Sequence, residues 1–277
     1  CTPSGFHLEP ALKAIRAGKH VLVEKPLEVT EERCAQLIEA ADEHRVQLGV
    51  VFQSRFAPAN RAAYEAIRAG RFGRLVLGDA YVKWFRSQAY YQSGAWRGTW
   101  ELDGGGALMN QAIHAVDLLL WFMGPVKSVH AHADCLAHTG IEVEDTVAAV
   151  LKFESGALGV IEATTSVQPG YPKRVEVHGS EGGVVLVDDA VASWHEAGDE
   201  GAGARMMEQY GAAHRSGTAS DPMAMSFDNH RRQIEDFIEA VKTGRPPLVD
   251  GREGAKSVAL VRAVYQSART GEPVMLS

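Results

Sequence analysis

Residues 103–124 constrain the fold more than any other stretch of the chain. Leu108, Ala112, Val116, Leu119, Leu120 and Met123 recur at a 3.6-residue spacing behind the run Gly104-Gly105-Gly106, and Gly124-Pro125 ends the pattern, which predicts one helix. So apolar a helix must be enclosed by the rest of the chain. Asn110, His114 and Asp117, four and three residues apart, stack along its opposite face. Polar groups there are either hydrogen-bonded core residues, the ordinary fate of a lone buried histidine, or the carriers of chemistry. Asp117 fits a holder of the imidazole tautomer or an ion pair on the helix surface.

With 277 residues the chain is long enough for two domains. Its apolar share of 45%, charged share of 23% and formal charge of -7 exclude collagen-like, disordered and membrane classes. No basic cluster exceeds His230-Arg231-Arg232, which argues against nucleic acid as a partner. Cys1, Cys34 and Cys135 are odd in number and lack metal or redox spacing, so they read as packing residues in a reducing, cytoplasmic compartment, with no metal site. The chain opens at Cys1 straight into Thr2-Pro3 and a helix, which reads as the continuation of a longer protein.

Residues 6–17 predict a helix with Leu8, Ala11, Leu12 and Ile15 inward. Val21-Leu22-Val23 lacks polar alternation, as does a strand buried on both faces of a parallel sheet. Thr30 caps the next helix and residues 46–52 form a second buried strand. The succession predicts the C-terminal remainder of a doubly wound α/β (Rossmann) domain over residues 1–56. Ligands of such sheets lie beyond the carboxyl ends of the strands, where Glu24-Lys25-Pro26 and Gln53-Ser54-Arg55 stand.

From residue 57 to 277 the pattern predicts an α+β domain with an open, mostly antiparallel sheet. Alternating strands at 75–85, 126–133, 146–153 and 157–165, with 174–177 and 184–187, are separated by turn residues. One sheet face should carry the organising helix and the other meet solvent or a second subunit. Residues 198–223, rich in Gly, Ala and Ser, read as a mobile loop, and two helices at 227–242 and 253–270 close the chain, possible partners for the first domain.

Lys25, held between a buried strand and a proline, points its ammonium into the crevice if it is more than a surface lysine. His114 exchanges a proton near neutral pH, and with Lys25 suits one substrate hydroxyl, one residue holding it and the other deprotonating it. Asn110 would orient a hydroxyl. The aromatic loop from Tyr90 to Trp100, with Tyr91, Trp96 and Arg97, suits a polyhydroxylated ring or a carboxylate or phosphate on it, or else plugs the domain junction. Arg55 is a further substrate candidate.

Thr2-Pro3 with His7, the run Ala17-Gly18-Lys19-His20-Val21-Leu22-Val23-Glu24-Lys25-Pro26, the Gly104-Gly105-Gly106 helix with His114 and Asp117, and Gly244-Arg245-Pro246-Pro247 near the end resemble, in order and spacing, the glucose-fructose oxidoreductase / inositol dehydrogenase (Gfo/Idh/MocA) family. The resemblance covers the whole chain. It implies an NAD- or NADP-dependent dehydrogenase of sugars, cyclitols or sugar derivatives, oligomeric (dimer or tetramer) through the open sheet. It implies Lys25 as the lysine that binds the reacting hydroxyl, His114 as acid/base, and Thr2, Pro3, His7, Glu24, Lys25 and Pro26 as cofactor-binding residues.

Two departures stand out. Asn110 replaces the aspartate of many members, which leaves His114 alone to carry the proton and resembles sugar or sugar-nucleotide dehydrogenases. The Gly-rich turn that seats the pyrophosphate is absent, about 60 to 75 residues or two βαβ units, so the chain as given should be inactive, bind dinucleotide weakly and associate through exposed sheet edges. Alternative readings are an NAD-dependent glycoside hydrolase of the same fold and a non-catalytic oligomeric binding protein.

Overall fold

The structure, a computed structural model, describes residues 2–211 and 227–276. A 3₁₀ turn, Ser4–Phe6, leads into α1 (Leu8–Arg16), which buries the expected set Leu8, Ala11, Leu12 and Ile15. Strand β1 (Val21–Val23) and strand β2 (Leu48–Val50) pair in parallel, Val21 opposite Leu48, with α2 (Glu31–His44) as the crossover between them. The Thr30 hydroxyl accepts from Arg33 N at 3.3 Å and caps α2, a device that contributes about 1 kcal/mol. A 3₁₀ turn, Gln53–Phe56, leaves the carboxyl end of β2 and runs into α3 (Pro58–Arg68).

The second sheet holds β3 (Leu75–Lys83), β4 (Val126–Asp134), β5 (Thr146–Phe153), β6 (Leu158–Thr164), β7 (Arg174–Gly179), β8 (Gly182–Val187), β9 (Ala190–Glu196) and β10 (Val274–Met275). Their order is β10-β4-β5-β6-β3-β7-β8-β9. Every neighbouring pair is antiparallel except β3 and β6, which run parallel at the centre. Strands β4, β5 and β6 form a meander, and β3, entering from earlier in the chain, completes the middle from the other side.

Strand β5 shows why one face is wet. Val147, Ala149, Leu151 and Phe153 are buried while Ala148, Val150 and Lys152 are exposed, the period-two alternation of a half-buried strand. Against the dry face lies α5 (Ile113–Met123), buried nearly all round, and beside it α8 (Gly251–Thr270). Helix α8 also packs on α2 and β2 and so ties the small sheet to the large one.

The loop expected over residues 198–223 is in part a helix, α6 (Ala202–Tyr210), which follows a short α4 (Gln88–Gln92) and precedes α7 (Asp228–Thr243) in the chain. Its glycines and alanines hid the period, and it forms because it docks on β9. Residues 212–223 of that loop, like Cys1, lie outside the described residues. Cys34 is buried, Cys135 half-buried, and both are free thiols. Among the described residues no helix is long and apolar enough to cross a membrane.

Candidate active site

The carboxyl end of β1 is held by buried polar contacts. Between Lys25 and Pro26 the peptide is cis. Nδ1 of His7 donates to the Pro26 carbonyl at 2.9 Å, which fixes that ring's tautomer. Two residues on, the wholly buried Glu28 carboxylate accepts from the Leu8 and Val29 backbone N–H groups (3.0 and 2.7 Å) and from Nε and Nη2 of Arg33 (2.8 and 2.9 Å). The turn bearing Lys25 is thus rigid, and Lys25 Nζ reaches across to donate to the Asn110 carbonyl at 2.7 Å. Burial lowers the Lys25 pKa, opposed by the charges of Glu24 and Asp103.

Asn110 does not sit on ordinary α-helix. Residues Ala107–Ala112 form a π-turn that runs directly into α5. The glycine run allows it: a Cβ on Gly106 would lie 1.8 Å from the Glu144 carbonyl oxygen, and Gly105 has φ 155° with the Tyr265 hydroxyl against its α-carbon. In place of a helix cap, the buried Glu144 carboxylate accepts from Gly106 N (2.9 Å), Leu108 N (2.8 Å) and Tyr265 Oη (2.9 Å). Burial pushes its pKa up to about 7 despite these bonds. The Asn110 side chain donates to Asp103 and accepts from Gln111 Nε2 at 3.1 Å, and Asp103 also accepts from Gly98 N at 2.9 Å. These partners hold the carbonyl that Lys25 grips.

One turn later, His114 lines a cavity of about 340 Å³, with Gln53, Ser54, Trp84, Lys173 and His230 among its walls. Phe52 meets the imidazole edge-on, ring centroids 5.6 Å apart. Burial, with the charges of Lys25, Lys173 and His230, holds the His114 pKa well below the usual 6.5, so at neutral pH the ring is uncharged and able to accept a proton. Lys173 Nζ donates to Asp189 Oδ1 (2.6 Å) and Ser54 Oγ (3.1 Å), and Asn60 Nδ2 joins at Asp189 Oδ1 (2.8 Å).

Several expected site residues stand elsewhere. Arg55 is a correction: it is 2% exposed, with its guanidinium on Asp117 and Glu253, and does not line the cavity. Asp117 is accordingly neither a surface ion pair nor a partner of His114. Tyr91 is buried, its hydroxyl 2.8 Å from Thr165 Oγ1 and its ring edge-on to His138, so it plugs the core. Arg97 lies over the rings of Tyr90 and Trp96, at 4.2 and 4.4 Å to their centroids. Thr2 and Glu24 are exposed, Pro3 half-buried.

Glu28, Glu144, Trp84, Lys173 and His230 escaped the sequence reading. Only the proximity of Trp84 to the aromatic loop was a signal; the others are brought in by pairings far apart in the chain.

Residues 1–52 match the sequence model of the GFO_IDH_MocA oxidoreductase family, NAD-binding Rossmann fold, and residues 60–185 match that of a GFO/IDH/MocA C-terminal domain. The 1,5-anhydro-D-fructose reductase of Ensifer adhaerens is 30% identical over 281 residues, 98% of this chain and 77% of that protein. The myo-inositol 2-dehydrogenase of Thermotoga maritima is 28% identical over 287 residues, 100% of this chain and 78% of that one. Among solved structures, the WlbA dehydrogenase from Bordetella pertussis in complex with NADH and UDP-GlcNAcA superposes with a TM-score of 0.87 at 36% identity, covering 100% of this chain and 77% of that one. The chain belongs to the Gfo/Idh/MocA oxidoreductase family, dehydrogenases that act on CH–OH groups with NAD or NADP.

Proposed function

We propose that the protein oxidises a secondary hydroxyl of a sugar derivative, with His114 taking the hydroxyl proton and Lys25 holding the oxygen as negative charge develops on it. The observation that carries this reading is the placing of a neutral, half-buried imidazole within electrostatic reach of a lysine ammonium that the Asn110 carbonyl orients. Asp103, through Asn110 and through its own charge, favours the protonated form of Lys25.

The donor set past β1 suits the nicotinamide end of a dinucleotide: the Thr2 hydroxyl and the Glu24 carboxylate are exposed, and Pro3 and Pro26 offer apolar surface. With His7 and Lys25 these residues would hold the cofactor, which when bound supplies the hydride acceptor. Domains dividing near residue 56 would set Lys25 on one body and His114 on the other.

A nucleotide-linked sugar acid, the ligand of the WlbA dehydrogenase, is the favoured substrate class. It is supported by 36% identity across the whole chain and by Arg97, a cation between two aromatic rings that donates to the Tyr90 and Ser93 hydroxyls and forms no salt bridge among the described residues. The exposed face of the large sheet, with Val150 and Leu158, supports a homo-oligomer, and the free cysteines support a cytoplasmic setting.

The test, in the full-length protein, is reduction of NAD and NADP in the presence of D-glucose, myo-inositol, levoglucosan and UDP-GlcNAcA. His114→Ala and Lys25→Ala should each lower kcat by about 10²–10⁴ on the oxidised sugar. Variants that keep wild-type turnover would remove both residues from the chemistry, and a non-catalytic binding protein would show no turnover to lose.

A further inference from the structure

Four residues that line the cavity beside His114 each carry a buried polar atom without a hydrogen-bond partner among the described residues. The atoms are Gln53 Oε1, Trp84 Nε1, His114 Nδ1 and His230 Nδ1, from the turn after β2, the end of β3, α5 and α7. Gln53 is 7% and Trp84 9% exposed. Folded proteins satisfy nearly all such atoms, so four of them on residues that line one space point to a site where another molecule completes the bonding. The volume lies in the range of small-molecule sites, about 300–1,000 Å³.

The chemistry of the walls identifies what fits. An indole N–H only donates and an amide oxygen only accepts, and the two histidine nitrogens serve either way. Hydroxyl groups, or a secondary amide, answer both needs. The charged side chains that line the cavity are of both signs, Lys173 and Arg232 with Asp188, Asp189 and Asp228, so no single-sign field selects an ion. Lys173 is already engaged by Asp189 at 2.6 Å.

That engagement also holds the walls in place. Asp188 and Asp189 turn between β8 and β9 with φ of 48° and 62°, a left-handed conformation that favours glycine, and Asp189 accepts from Ser54, Asn60 and Lys173. The hairpin tip is thereby fastened to the turn that carries Gln53.

We propose that Gln53, Trp84 and His230 determine the specificity of this site by binding uncharged polar groups, hydroxyl or amide, on the sugar ring beside the carbinol that reacts. The assignment rests on the dehydrogenase reading of His114. It leaves the anionic part of a substrate to the Arg97 side.

Trp84→Phe removes the indole N–H with its five-membered ring and keeps an aromatic face, and Gln53→Met removes only the amide. On the sugar that the wild type oxidises from the panel above, each should raise KM about tenfold with a much smaller change in kcat, and calorimetric Kd should rise by a like factor. A purely structural role would lower Tm and leave KM in place. Equal KM and Kd in wild type and both variants overturn the assignment. If the wild type oxidises none of the panel, the dehydrogenase reading fails separately and calorimetry alone decides. Weakened binding of any panel sugar by both variants then upholds Gln53 and Trp84 as binding residues for its hydroxyl or amide groups, and unchanged binding, or no binding to the wild type, overturns that as well.

Discussion

Arg55 and Asp117 meet through two parallel hydrogen bonds, Nε to Oδ2 at 2.9 Å and Nη2 to Oδ1 at 2.8 Å, where neither side chain is more than 2% exposed. Arg55 also donates to Glu253 on α8 at 3.0 Å, so one guanidinium joins the turn after β2 to α5 and α8. Removing one member of a buried pair strands the other charge, which costs about 3–5 kcal/mol. Arg55→Ala should therefore lower unfolding stability by that amount in urea titration. Arg55→Met with Asp117→Leu should recover most of it, because an apolar pair of like size leaves no stranded charge. A loss below about 1 kcal/mol in the single variant would refute the role.

For His114 the prediction concerns pH. The ring must be neutral to accept a proton, and its pKa is held well below 6.5, so the acid limb of kcat/KM should fall below pH 6.5. Stability moves in the same direction. As pH falls through 6.5 the unfolded chain binds this proton before the folded one does, so the contribution of His114 to stability declines from there downward. A pH–rate profile whose acid limb is centred above 7 would contradict the assignment.

Glu144 should act with the opposite sign. Its folded pKa, about 7, lies above its ordinary 4.5, so its protonated form adds stability that is complete below pH 4.5 and lost as pH rises through 7. Glu144→Gln cannot titrate. The difference in stability between wild type and this variant should shrink by about 3 kcal/mol from pH 4.5 to pH 8, read as urea midpoints. A difference that stays flat across that range would show that the carboxyl titrates normally.

On the outer face of the sheet, Val150 is 59% and Leu158 52% exposed on adjacent strands. If this face joins copies of the chain, Val150→Lys together with Leu158→Lys should convert the oligomer to monomer in light scattering, with circular dichroism unchanged. A wild type that is itself monomeric sinks the idea.

Much of the fold was legible because local pattern and tertiary role agreed. The four inward residues of α1 and the alternation of β5 read directly from their periods. Lys25 and His114 were legible as a motif and as a polar break in an apolar helix. Arg55 was misread because a polar residue at a strand end looks alike whether it faces a ligand or a buried carboxylate; its partner lies 62 residues away. Neither the parallel pairing of β3 with β6 nor β9 was visible, since hairpin signals speak only for neighbours in sequence. The wall of the cavity assembles Gln53, Trp84, Lys173 and His230 from four distant segments, and no local signal announces such a meeting.

The π-turn at Ala107–Ala112 holds a consequence for how relatives of this enzyme can diverge. Each residue of a helix advances about 100° around the axis, so shortening this turn by one position would swing the grip on Lys25 through that angle relative to the wall that carries His114. Two working surfaces are thus indexed against each other by a single count of residues. A change of length there re-aims an intact toolkit, something that no exchange of one side chain for another accomplishes.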